Sequence, residues 1–92
     1  MSVAHAIRER LAVLEPQALE LVDESEMHRG HAGYREGGGT HWRLAIVCAR
    51  FHGRSTVERH RMIYQALGSL MQNPIHALNI NARTPEETKG RP

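Results

Sequence analysis

Val3, Ile7, Leu11 and Leu14 recur three and four residues apart. That spacing keeps side chains on one face of a 3.6-residue helix, and it predicts an amphipathic helix over residues 2–14. Pro16 has no N–H to continue the helix and stops it. The period then drops to two. Leu19 and Leu21 alternate against Glu20, so residues 18–25 read as a strand. Residues 41–49 repeat that signal more clearly. Trp42, Leu44, Ile46 and Cys48 share one face, and His41, Arg43, Ala45 and Val47 share the other. Between the two strands, Gly30, Gly33 and Gly37-Gly38-Gly39 forbid regular structure. Residues 26–39 are therefore a long loop, and long loops in compact domains often carry function.

Phe51-His52-Gly53 turns the chain after the second strand. Ser55 and Glu58 stand at the spacing of a capping box, in which each side chain satisfies the other residue's free N–H. The helix that follows is expected to run to about Met71, with His60, Ile63, Leu67 and Leu70 along one stripe. Asn73-Pro74 ends it. Residues 76–82 read as a third strand. Thr84-Pro85-Glu86-Glu87 then combines a threonine cap, proline at the first helical position and acids in the first turn. It predicts a short last helix closed by Lys89-Gly90. The order is α-β-β-α-β-α, with room for a short extra turn before the long helix.

Topology adds what the pattern alone lacks. A hairpin puts the 26–39 loop and the start of the second strand at one end of the sheet. The long helix returns the chain from the far end, so the third strand runs parallel to the second. His76, which opens the third strand, falls beside His41 and the loop that carries His28 and His31. Four imidazoles are expected at one rim. Neutral imidazole is a common ligand for soft and borderline metals. No thiolate accompanies them, because Cys48 lies at the other end on the core face. The arrangement resembles half of a metal centre. A [2Fe–2S] cluster can take two histidines on one iron and sulfur on the other, as in Rieske-type sites, and here a partner would bring the sulfur.

Composition sets the bounds. A chain of 92 residues allows one domain, and at this size about two thirds of the unfolded surface is buried, which gives a modest core. Apolar residues make up 40% of the chain, too many for a disordered segment. A net charge of +2 is too weak to diagnose a nucleic-acid protein. The first half holds more of the acids, and the second is basic around Arg50, Arg54, Arg59 and Arg61. Seven histidines are many for this length, whereas one cysteine rules out an intramolecular disulfide. The amino terminus lacks the apolar core of a signal peptide, and no stretch is long enough to cross a bilayer. The expected setting is cytoplasmic and reducing, with no membrane partner.

Three motifs follow one another in the second half: Phe51-His52-Gly53, Arg59-His60-Arg61 and Ile75-His76-Ala77-Leu78. With Asp23-Glu24-Ser25, Thr40-His41-Trp42 and Thr84-Pro85-Glu86, this order resembles the BolA-like family. The resemblance implies a single α+β domain over 1–92, with 84–92 as a short helix and tail. It also implies a three-stranded mixed sheet related to the class II KH fold. Proteins of this family pair with monothiol glutaredoxins and share a [2Fe–2S] cluster, to which glutaredoxin and glutathione bring sulfur. The isolated chain would hold no cofactor. Carried onto this sequence, the strand ligand is His76. The loop ligand is His28, which follows Asp23-Glu24-Ser25 at the family's spacing, or else His31. His41 lines the rim or hydrogen-bonds within the hairpin, holding a ligand rather than being one. The role implied is iron–sulfur trafficking or iron-dependent regulation.

Plainer readings stand beside these. His76 can cap a strand, His28 can be a polar loop residue, and His60 can be a satisfied core histidine. Cys48 packs as a small hydrophobe. A DNA-binding regulator is the alternative function, with Arg59, Arg61 and Arg54 contacting phosphate at a helix start. Arg59 equally suits a structural pair with a neighbouring carboxylate. The G-x-x-G string Gly30-His31-Ala32-Gly33 lies between strands, not between helices as a KH clamp requires. An aromatic platform for bases is also missing. Enzyme chemistry is the least supported class: no nucleophile triad, carboxylate pair or phosphate loop is visible. A homodimer stays open.

Overall fold

The computed structural model describes residues 2–25 and 38–89. The element order is α1 (Val3–Leu11), β1 (Ala18–Asp23), β2 (His41–Val47), α2 (Thr56–Leu67), β3 (Ala77–Arg83) and α3 (Pro85–Lys89), with short 3-10 turns after α1, β2 and α2. The three strands form one mixed sheet in the order β1-β2-β3. β1 pairs antiparallel with β2, setting Leu21 opposite Leu44 and Asp23 opposite Trp42. β3 runs parallel to β2, with Ala77 opposite His41 and Ile80 opposite Leu44. This is the α+β order and strand direction that the sequence leads one to expect.

Both long helices begin as their caps dictate. The Ser2 hydroxyl accepts the His5 N–H and starts α1. At α2 the capping box is complete: Ser55 accepts from the Glu58 N–H at 3.1 Å, and Glu58 accepts from the Ser55 N–H at 2.8 Å. The ends differ from the sequence reading. α1 stops at Leu11, and the chain tightens into a 3-10 turn through Leu14 before Glu15 takes a left-handed conformation, φ 55°. Pro16 therefore follows the stop, and Glu15 makes it. α2 likewise ends at Leu67, where Gly68 adopts φ 55° and the 68–71 stretch continues as 3-10. Arg10 of α1 donates to the last free carbonyl there, Leu67 O, at 2.9 Å, so one side chain caps α2 and ties the helices together.

The core lies between the helices and one face of the sheet. Ile7 and Leu11 of α1, Ile63 and Leu67 of α2, and Leu44 and Ile46 of β2 are almost wholly buried. Each is worth about 1.5–3 kcal/mol of burial. Cys48 and Phe51 complete the far end, as the alternation along β2 requires. The Cys48 thiol donates to Leu14 O at 3.1 Å. The opposite face of the sheet carries Glu20, Val22, Arg43, Ala45, Asn79 and Asn81. No described helix of the chain is long and apolar enough to cross a membrane.

Candidate functional site

β1 ends at Asp23, two residues earlier than the pattern suggests, because its carboxylate folds back on the chain. Asp23 Oδ1 accepts both the N–H and the hydroxyl of Ser25, at 2.9 and 2.6 Å. Its other oxygen accepts the Gly39 N–H at 3.0 Å. Burial pushes the Asp23 carboxyl up, but the Ser25 and Gly39 hydrogen bonds outweigh it and hold the group below its ordinary value. Ser25 is 1% exposed, and its oxygen accepts the N–H groups of Thr40 and His41 at 3.0 and 3.2 Å. The two stems of the hairpin are thus clamped by a buried polar knot. Gly38 fits there because a side chain at that position would meet Asp23 Oδ2 at 2.7 Å, and its φ is +85°.

The same knot positions the third strand. Thr40 is 2% exposed, and its carbonyl accepts two N–H groups, from His76 at 2.7 Å and Ala77 at 3.1 Å. One residue earlier, Ile75 is 1% exposed and donates to Leu70 O at 3.0 Å. His76 therefore stands between a buried anchor and a doubly held carbonyl. Its side chain is exposed, just ahead of the first residue of β3. His41 is 5% exposed, and its ring centroid lies 5.3 Å from that of His76, with the planes tilted by 52°. Two of the four imidazoles assigned to the rim are brought together. The other two, His28 and His31, lie outside the described residues, as do the Gly30-His31-Ala32-Gly33 string and most of the 26–39 loop. The described chain leaves at Ser25, whose hydroxyl oxygen accepts the His41 N–H, and returns at Gly38, three residues before His41. Among the described residues no three His, Cys, Asp or Glu side chains converge as a metal-holding group.

The other candidates part company. Cys48 is fully buried at the far end of the sheet and offers no thiolate to the rim. His60 is half-buried on α2 and meets Tyr64 edge-on at 6.4 Å. Arg59 is engaged inside the protein. It forms two parallel bonds to the Glu87 carboxylate, at 2.7 and 2.9 Å, and donates to Ala82 O at 3.1 Å and Arg54 O at 3.0 Å. Its guanidinium also lies 5.9 Å from the Phe51 ring centroid. Arg54 and Arg61 remain exposed at the start of α2. Arg59 and the Thr84 N–H hold the Glu87 carboxyl down to about 2. Glu87 also closes a second capping box, accepting the Thr84 N–H while the Thr84 hydroxyl accepts the Glu87 N–H. The Thr84-Pro85-Glu86-Glu87 signal announces that cap. The Ser25–Thr40 knot has no comparable signature, since it joins short polar residues fifteen positions apart.

Comparison with known proteins places this geometry. The family model for BolA-like protein matches residues 11–87. BolA-like protein 1 of Bos taurus is 45% identical over 91 residues, covering 98% of this chain and 64% of that protein. The chain thus spans a little under two thirds of that relative's length. The DNA-binding transcriptional regulator BolA of Escherichia coli K12 is 36% identical, over 98% of this chain and 83% of the regulator. In structure, the BolA domain of SufE1 from Arabidopsis thaliana superposes with a TM-score of 0.83 at 43% identity, covering 95% and 96% of the two chains. A matched model over most of the chain, relatives at this identity and the shared strand order lead to one conclusion: the chain belongs to the BolA-like family.

Proposed function

We propose that this protein is an adaptor that binds a monothiol glutaredoxin and contributes imidazole, His76 first, to a shared [2Fe–2S] cluster. One observation carries the reading. His76 is exposed on a mount held by the Thr40 carbonyl, beside His41, whose N–H binds Ser25 just before the segment that holds His28 and His31. The donor chemistry fits a shared cluster. The rim offers nitrogen, and the single thiol is sealed in the core, so sulfur has to come from a partner and its glutathione. The cluster, once held, supplies a redox-active iron–sulfur unit that can be passed on. This chain's part is to present the ring of His76, to hold it through the Thr40 carbonyl, and to offer His28 or His31 from the neighbouring segment. The proposed setting is the reducing cytoplasm, in iron–sulfur trafficking or iron-dependent regulation.

Mixing the chain with a cluster-loaded monothiol glutaredoxin, followed by visible absorbance and circular dichroism, tests the reading. New bands that saturate at a fixed ratio support it. A spectrum equal to the sum of the separate proteins refutes it.

A second reading has its own support. Arg54 and Arg61 are exposed where α2 begins, and the Escherichia coli relative is a DNA-binding transcriptional regulator. On this reading duplex affinity falls steeply with salt. It also weakens on Arg61→Ala and is indifferent to His76→Ala.

A further inference from the structure

We infer that His41 is held as the neutral tautomer with its proton on Nε2. It then serves the rim as a hydrogen-bond donor and positioning residue beside His76, not as a third ligand. The positioning part of this inference rests on the adaptor reading above; the tautomer does not.

Protons and lone pairs in the buried knot match up in one way. Asp23, ionised, only accepts. The Ser25 hydroxyl lies 2.6 Å from Asp23 Oδ1, so its one proton goes there. Ser25 Oγ has two lone pairs, and two N–H groups take them, from Thr40 and His41. Thr40 Oγ1 lies 3.3 Å from Ser25 Oγ, a longer approach to an oxygen already filled. It lies 2.9 Å from His41 Nδ1. The Thr40 proton therefore goes to Nδ1, which must carry the lone pair. A neutral ring with an accepting Nδ1 has its proton on Nε2.

The consequence runs from the loop base to the rim. Asp23 orients Ser25, Ser25 excludes Thr40 as its donor, and Thr40 fixes the imidazole that packs 5.3 Å from His76. Ligation through Nδ1 would break the Thr40 bond, and ligation through Nε2 would require a shift of tautomer. His41 steers the His76 ring and offers N–H to an acceptor, as supporting groups around metal ligands commonly do.

The test uses the isolated chain with 15N-labelled histidine at pH 8, above the ordinary histidine value, read by long-range 1H–15N correlation of the ring nitrogens. His41→Gln assigns the signals. The expected result is an accepting Nδ1 and a protonated Nε2, favoured roughly tenfold. On Thr40→Val the Nδ1 resonance moves toward its unbonded position, and Thr40→Ser restores it. A protonated Nδ1 in the unaltered chain overturns the inference, and that measurement stands even if Thr40→Val fails to fold. A second arm adds cluster-loaded glutaredoxin. His41→Gln, which keeps an N–H donor, retains the visible bands with a shifted dichroism. If it abolishes them as fully as His76→Ala does, His41 is a ligand and the positioning role is wrong. If the unaltered chain gives no bands at all, the adaptor reading and the positioning role fail together, while the tautomer result remains.

Discussion

The carbonyl oxygen of Thr40 accepts the backbone N–H of His76 at 2.7 Å. With the Ala77 N–H, which the same carbonyl accepts at 3.1 Å, this bond joins the hairpin to the start of β3, across a sequence gap filled by β2, the long helix and its turns. It converts a residue that merely precedes a strand into a side chain with a fixed mount. Removing the imidazole should therefore leave the mount intact. His76→Ala is expected to fold with a melting temperature within a few degrees of the unaltered chain, because exposed side chains away from packing contribute within about 0.5 kcal/mol. Thermal unfolding by far-ultraviolet dichroism checks this.

Ser25 should behave in the opposite way. Its hydroxyl is buried and satisfies the N–H groups of Thr40 and His41. Ser25→Ala strands buried donors, at a cost of about 1–3 kcal/mol each. The expected loss in melting temperature is about 4–8 °C for each kcal/mol in a domain of this size. Urea unfolding should show the same loss with little change in the slope.

The reach of the sequence follows from which interactions are local. Strand alternation placed Trp42, Leu44, Ile46 and Cys48 on the core face, and all four are buried there. The Ser55–Glu58 capping box and the Thr84 cap are readable because each spans three residues. The helical return from the far end of β2 is enough to set β3 parallel to β2 and to bring His76 beside His41. What stayed hidden is nonlocal or conformational. Glu15 and Gly68 end their helices by taking positive φ, and only the glycine hints at that. Arg59 reads equally as a phosphate contact or as half of an ion pair, and the sequence does not single out Glu87, 28 residues away, as that partner. The resemblance narrows the proposed loop ligand to His28 or His31, and both lie outside the described residues.

The Arg59–Glu87 pair yields a pH prediction. Glu87 is lowered to about 2 from an ordinary value of 4.5. A depressed carboxyl stabilises the fold above its unfolded value and loses that contribution as pH falls through the folded value. The attachment of α3 is therefore expected to hold from neutral pH down to about 4.5 and to weaken between there and about 2. The Glu87 side-chain carboxyl carbon, followed by NMR through an acid titration, should report a midpoint near 2. In Arg59→Met that midpoint should rise toward the ordinary value, and the amides of Glu87 and Thr88 should lose protection against exchange.

Cys48 supplies a control on the sulfur source. The thiol is buried and bonded to Leu14 O, so it should resist modification by thiol reagents until the chain unfolds. Cys48→Ala should cost about 1 kcal/mol through the lost bond and leave the spectrum of the glutaredoxin mixture unchanged. A vanished spectrum would mean that this chain supplies sulfur.

The proposed function depends on the exposed His76 ring, on its Thr40 mount, being a ligand. Visible circular dichroism of a cluster-loaded monothiol glutaredoxin, titrated with the unaltered chain and with folded His76→Ala, measures it most directly. Saturable new bands are expected with the unaltered chain, and their loss or displacement with the variant. Identical bands from both proteins would contradict it.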